Sequence, residues 1–163
     1  LRPLDPDRYL SCLFAADKAQ DLAALYLFVY EIAKTREIVS EPTIGLIRLQ
    51  WWQDQLDEIY AGRVGAHDVL DALALIIHKY SLPRRAFIEL IAAREQDLLP
   101  NSLHSMPCLV NYAASCNQSV FQLAASISQY SLSNDMARAA GSFYGLVGVM
   151  RSVGYAARQG YSM

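Results

Sequence analysis

Apolar side chains recur every three or four residues along nearly the whole chain, the spacing that lines one face of an α-helix. No stretch alternates with period two, so no strand is predicted. Asp5-Pro6-Asp7 reads as a cap leading into a short helix that runs to about Ala16. Asp17 reads as the cap of a long second helix ending near Ser40. Its positions Leu22, Leu25, Tyr26, Val29, Ile32 and Ala33 follow the i, i+3, i+4, i+7 rule, and Arg36 and Ser40 continue the same face. A third helix starts at Glu41-Pro42, where proline in the first turn sacrifices no hydrogen bond. It carries Ile44, Ile47, Leu49, Trp51, Trp52, Leu56 and Ile59 and stops at Gly62. Adjacent residues on a helix cannot share a face, so one of Trp51 and Trp52 is predicted to be core and the other to lie at an edge or interface.

Gly62 to Gly65 is a predicted turn, and Asp68 to Tyr80 a fourth helix ended by Ser81-Leu82-Pro83. Pro83 opens a fifth helix carrying Phe87, Leu90, Ile91 and Leu98. Pro100 to Pro107 reads as a loop, and Cys108 to Ser128 as a sixth helix. Ser133-Asn134-Asp135 caps a seventh that continues to about Gln159. This last helix contains Gly141, Gly145 and Gly148, each costing about 1 kcal/mol relative to alanine in a helix interior. Three such costs predict close helix packing or a need for free volume beside the helix. There is no internal repeat, linker or low-complexity stretch. The chain is therefore read as one all-α domain over residues 1–163, a bundle with helices long enough to surround an interior space.

Composition removes several function classes. Hydrophobic residues make up 53% of the 163 and charged residues 18%, with a net charge of −2 and no basic block, so nothing marks a nucleic-acid surface. Uninterrupted apolar runs such as Leu22 to Leu25 and Leu73 to Ile77 fall far short of the roughly 20 residues that cross a bilayer. The opening Leu1-Arg2-Pro3-Leu4-Asp5-Pro6 does not read as a signal peptide. Cys12, Cys108 and Cys116 are odd in number and contain no C-x-x-C, which fits a reducing compartment, cytoplasmic or matrix-like, better than a disulfide scaffold. His67, His78 and His104 show no ligand spacing, so no metal site is predicted from Cys and His. Asp54, Asp57 and Glu58 crowd one helix and read as a solvated face.

Three segments together resemble the signature regions of the squalene/phytoene synthase family. The first is Phe28-Val29-Tyr30-Glu31-Ile32-Ala33-Lys34-Thr35-Arg36-Glu37-Ile38-Val39-Ser40-Glu41-Pro42. The second runs from Leu82-Pro83-Arg84-Arg85-Ala86-Phe87 to Arg94-Glu95-Gln96-Asp97-Leu98. The third runs from Ala139-Ala140-Gly141 to Gly148-Val149-Met150-Arg151-Ser152-Val153-Gly154-Tyr155-Ala156-Ala157-Arg158-Gln159-Gly160. Order and spacing agree along essentially the whole chain. The resemblance implies the helical isoprenoid-synthase fold, with a central cavity for prenyl diphosphates and two Asp-x-x-x-Asp motifs facing each other across it. Residues i and i+4 share a helix face, two carboxylates so placed hold Mg²⁺, and the metal helps diphosphate to leave.

In this chain the first motif's aspartates fall at Arg36 and Ser40, and the second motif's at Ser152 and Ala156. None of the four supplies a carboxylate, and Arg36 sets a permanent positive charge where a cation would bind. Glu31 and Glu37 are the nearest acidic residues but point about 100° off the stripe at 3.6 residues per turn. The resemblance makes Val29, Ile32, Arg36, Asp97, Tyr112, Ser115, Tyr144, Gly148 and Arg151 the cavity-lining candidates. Asp97 matches a family aspartate, whereas Ser115 and Gln118 stand where many members carry a tyrosine and a glycine. Family members continue past the third segment, so the resemblance implies a C-terminally truncated bundle. Its apolar faces would be exposed or covered by another copy in a homo-oligomer.

Val39-Ser40-Glu41-Pro42-Thr43-Ile44-Gly45-Leu46-Ile47-Arg48-Leu49-Gln50-Trp51-Trp52, followed by Leu56-Asp57-Glu58-Ile59-Tyr60, resembles the complex I assembly factor branch of that family. That branch keeps the fold and lacks the aspartates. It implies a non-catalytic protein without a cofactor, acting through protein partners in respiratory complex I assembly, in a matrix-like compartment and peripheral to the inner membrane. Two alternatives stay open. One is a Mg²⁺-dependent prenyltransferase, condensing farnesyl or geranylgeranyl diphosphate head to head with rewired metal ligands. The other is a non-catalytic isoprenoid- or lipid-binding module in which Arg36, Arg48 and Arg151 meet an anionic head group. Pairing of these arginines with Glu31, Glu37, Asp97 or helix carbonyls is the simpler expectation.

Overall fold

The computed structural model describes residues 1–63, 67–99 and 105–158, with the side chains of 152–158 outside the description. Within it the chain forms α1 (Pro6–Leu13), α2 (Ala19–Ala33), α3 (Thr35–Ile38), α4 (Pro42–Tyr60), α5 (Asp68–Tyr80), α6 (Arg84–Glu95), α7 (Met106–Ile127) and α8 (Asn134–Arg158). Short 3-10 turns lie at Ala16–Lys18 and Gln96–Leu98. No strand occurs among the described residues, so the fold is the all-α bundle that the periodicity predicts.

Local chemistry sets most of the helix ends. The Asp5 carboxylate accepts the Arg8 amide at 3.0 Å and so satisfies one of the orphan donors at the start of α1. Ser105 does the same for Cys108 at the start of α7, and Ser133 for Met136 at the start of α8, both at 3.3 Å. Gly62 takes φ +78° just after α4, and Ser81 stops α5 in the left-handed region at φ 50°. Pro107 lies inside the first turn of α7 rather than in the predicted loop. The predicted positions Val64, Gly65, Pro100 to His104 and Gln159 fall outside the described residues.

The predicted second helix is not one rod. The first helix stops at Leu13, and Asp17 sits in the 3-10 turn, paired with Lys18 at 3.0 Å, rather than capping α2. More consequentially, α2 ends at Ala33, Lys34 flattens to ψ −6°, and the four residues of α3 follow as a separate short helix. Val39 is extended (φ −108°, ψ 140°), as is Glu41 (φ −127°, ψ 138°) before Pro42. Proline disfavours helical backbone at the residue before it, so the helix has to end ahead of α4. Arg36 and Ser40 therefore leave the Leu22–Ile32 stripe and both lie exposed, while Thr35 turns inward and is buried.

Helix α2 is central, packing against α1, α5, α6 and α7, and α6 lies between α4 and α7. The core is centred on Phe28 of α2, whose ring meets Trp52 of α4 at 5.7 Å and Phe87 of α6 at 5.6 Å, both edge to face. All three rings are fully buried, in one core with Leu25, Ile32, Leu49 and Leu90. Each such pair contributes about 0.5–1.5 kcal/mol beyond burial of its area. Trp52 is thus the core member of the tryptophan pair, and Trp51 sits at the edge, 39% exposed. The Tyr60 hydroxyl donates to the Leu82 carbonyl at 2.7 Å, tying the end of α4 to the segment before α6.

Helix α8 packs along α7 through its glycines. A Cβ at Gly141 would lie 2.8 Å from the Gln118 amide nitrogen, and one at Gly145 would lie 2.7 Å from the Ala113 Cβ. At Gly148 a Cβ would meet nothing within 4 Å. Two of the three glycines thus allow close backbone approach, and the third costs helix propensity without a contact in return. Gly145→Ala is expected to push α8 from α7 and lower stability by about 1–3 kcal/mol. Gly148→Ala is expected to raise it by up to about 1 kcal/mol. Urea unfolding of the two variants against the parent chain checks both signs.

Candidate functional site

The first motif position falls on α3 and the segment after it, and α3 packs against α2 and α4. The second falls in the last turns of α8, where Ser152 and Ala156 have helical backbone but undescribed side chains. Of the two acidic residues nearest the first motif, Glu37 is exposed and Glu31 is engaged elsewhere. Glu31 is bonded by Lys34 and by Arg48 Nη2, the latter at 3.1 Å. On α4 the crowded carboxylates disperse to separate partners. Asp54 accepts from Gln50 at 2.8 Å, Asp57 from Arg84 at 2.6 Å, and Glu58 pairs with Arg63. This is the solvated face expected of them. Among the described residues no three His, Cys, Asp or Glu side chains come together as a metal site.

The cavity-lining candidates do not gather around one space. Val29 and Ile32 are sealed in the core. Arg36, Gly148 and Arg151 are exposed, and Arg151 pairs with Asp7 of α1. Asp97 and Tyr112 do meet. The Tyr112 hydroxyl donates to Asp97, and Arg94 approaches the same carboxylate at 3.4 Å, tying the 3-10 turn after α6 to α7. Burial first, and the Asp97 charge second, push the Tyr112 pKa upward. Ser115 lines an open groove of about 420 Å³ between α6 and α7, where Ser119 donates to Glu89 at 3.1 Å.

Tyr144 lines a different space, a cleft of about 240 Å³ between α1, α2, α7 and α8. Its centre is Arg8. The guanidinium donates to Asp5 and to Asn117, each at 3.2 Å, and lies 5.5 Å from the Tyr26 ring centroid and 5.2 Å from that of Tyr144. Asn117 is buried, and its amide nitrogen donates to the Ala113 carbonyl at 3.0 Å, which aims its oxygen at Arg8. Val120, Phe121 and Ala124 form the apolar wall, with Phe121 edge-on to Tyr144 at 6.1 Å. Sequence reasoning missed Arg8 and Asn117. Arg8 lies three residues after a capping aspartate, where its pattern is that of an ordinary first-turn pair, and its decisive partner is 109 residues away.

The family model for squalene/phytoene synthase matches residues 1–163. The chain belongs to the squalene/phytoene synthase family. Among curated relatives it is similar to NADH dehydrogenase (ubiquinone) complex I, assembly factor 6 of Mus musculus, with 34% identity over 124 residues. The Bos taurus protein of the same name is 32% identical over the same length. The Dictyostelium discoideum homolog is 26% identical over 125 residues. Each match covers 76% of this chain, but only 37% of the two mammalian proteins and 35% of the third. The chain therefore spans little more than a third of the length of these relatives. No solved structure matches it.

Several buried or half-buried tyrosines have raised pKa values, two of them, Tyr26 and Tyr144, at the Arg8 cleft. Burial is the largest cause at Tyr26, Tyr112 and Tyr144, and at Tyr60 it pushes the pKa from 10.0 to about 12. A raised phenol pKa means that the folded chain holds the neutral form more tightly than the unfolded chain does. That stability is complete below about pH 10 and is lost as pH rises through 10 toward 12. Urea midpoints measured from pH 8 to pH 12 are expected to fall over this window. Tyr60→Phe is expected to make the fall shallower, and phenolate absorbance should lag behind that of free tyrosine.

Proposed function

We propose that this chain is a non-catalytic member of the squalene/phytoene synthase family that acts through protein contacts in the assembly of respiratory complex I. The observation that carries the reading is the pair Arg36 and Ser40, which stand without a carboxylate in a segment that otherwise keeps the family pattern. Capture of Mg²⁺ requires several oxygen ligands, usually carboxylates, that are not already neutralised. Here Arg36 is a fixed cation, and the nearby Glu31 is bonded by Lys34 and Arg48. Ser152 and Ala156 leave the second motif equally without carboxylates. The relatives named as assembly factors support the choice of process.

The segment that carries the branch resemblance also offers a surface for such contacts. Ile44, Ile47 and Trp51 of that segment are all exposed on α4. No helix among the described residues is long and apolar enough to cross a membrane. The reading places the protein in a matrix-like reducing compartment, peripheral to the inner membrane, without a cofactor.

Titration calorimetry with Mg²⁺ and farnesyl or geranylgeranyl diphosphate is expected to show no metal-dependent binding, and a product assay no diphosphate release. Deletion in the source organism is expected to lower complex I activity while leaving the isoprenoid profile intact. Mg²⁺-dependent diphosphate release, or an altered squalene or carotenoid profile, would sink the proposal in favour of the prenyltransferase alternative.

A further inference from the structure

We infer that the cleft centred on Arg8 is a binding site for a small neutral amphiphile, a molecule with a hydroxyl or carbonyl head and an apolar body. The inference stands apart from the assembly reading, because it concerns a space between α1, α2, α7 and α8 rather than any partner surface.

Arg8 supplies the polar end. A guanidinium carries five N–H hydrogens, of which one from Nη1 reaches Asp5 and one from Nη2 reaches Asn117. The remaining N–H groups have no acceptor among the described residues, and Arg8 itself lines the cleft. The head group is held in place from three sides. Asp5 and Asn117 grip its terminal nitrogens, and the rings of Tyr26 and Tyr144 lie 5.5 and 5.2 Å from its carbon. A donor fixed in advance loses little freedom when it meets an acceptor. Val120, Phe121 and Ala124 supply the apolar end.

Electrostatics select the head group. Arg8 is already paired with Asp5, and Asp7 at the cleft with Arg151. The four charges cancel, so an anionic head would bury its charge beside two carboxylates with no unmatched cation. A neutral oxygen takes the free N–H groups at no such cost. Volume limits the body. At about 240 Å³ the cleft lies below the roughly 300–1,000 Å³ of pockets for drug-sized ligands. A chain of about eight carbons, or the end of a longer one, suits it.

The test uses the whole chain with labelled valine and alanine methyl groups, titrated at pH 7 with 1-octanol and with octanoate. Saturable shifts at Val120 and Ala124 are expected with 1-octanol, and at least tenfold weaker binding with octanoate. Arg8→Met is expected to weaken 1-octanol at least tenfold. Because Arg8 also joins α1 to α7, Ala124→Phe provides a second arm that fills the apolar end. It is expected to abolish the shifts while leaving the circular dichroism unchanged. Equal or tighter binding of octanoate overturns the choice of head group. Shifts that persist in Ala124→Phe, or no saturable shift with either probe, overturn the site.

Discussion

The position of Phe28 governs the arrangement of everything around it. Its ring is gripped edge-on by Trp52 from α4 and Phe87 from α6, with all three fully buried. Two helices, α4 and α6, are thereby held against α2. For α4 to bring Trp52 back to Phe28, the chain has to reverse between them. The break at Lys34, the four-residue α3 and the extended residues before Pro42 accomplish this reversal. The exposure of Arg36 and Ser40 follows from the same turn. The place where a metal motif would belong in this family is a surface corner here, created by the need to close the aromatic core.

How far the sequence could be read depended on whether a position was constrained locally. Asp5-Pro6, Pro42, Gly62 and Ser133 act on their own backbone through a cap, a fixed φ or a left-handed φ, and each marks a helix end where it was expected. Lys34 carries no such mark, and the 3.6-residue pattern runs smoothly through it to Ser40. That break is imposed by what lies after it and against it. Gly145 and Gly148 look alike in the sequence, yet one faces Ala113 and the other faces nothing. Facing requires the partner helix. Trp51 and Trp52 were separable into core and edge by helix geometry alone, but which was which depended on where α2 and α6 lie.

The candidate site shows the same division more sharply. The loss of carboxylates at four motif positions is legible without coordinates. The Arg8 constellation is not, because its members come from α1, α2, α7 and α8 and its key bond spans 109 residues. Family resemblance nominated residues for one central space, whereas the described structure distributes them among a packed core, a hydrogen-bonded network, an open groove and a separate cleft.

A consistent electrostatic logic runs through these features. Glu31 meets Lys34 and Arg48, Asp97 meets Arg94 and Tyr112, Asp5 meets Arg8, and Asp7 meets Arg151. A diphosphate enzyme needs the opposite arrangement, with several carboxylates held close together, mutually repulsive and relieved only when a divalent cation arrives. Carboxylates already matched to arginine or lysine gain little from a metal, since binding it would first break a charge-assisted hydrogen bond of about 1.5–3 kcal/mol. Restoring aspartates at positions 36 and 40 alone would therefore not rebuild a metal centre. Position 36 lies on the short α3 and position 40 in the turn beyond it, so the i, i+4 geometry is missing along with the charge. At the first motif, then, the geometry that would hold a metal is missing from the backbone as well as from the side chains.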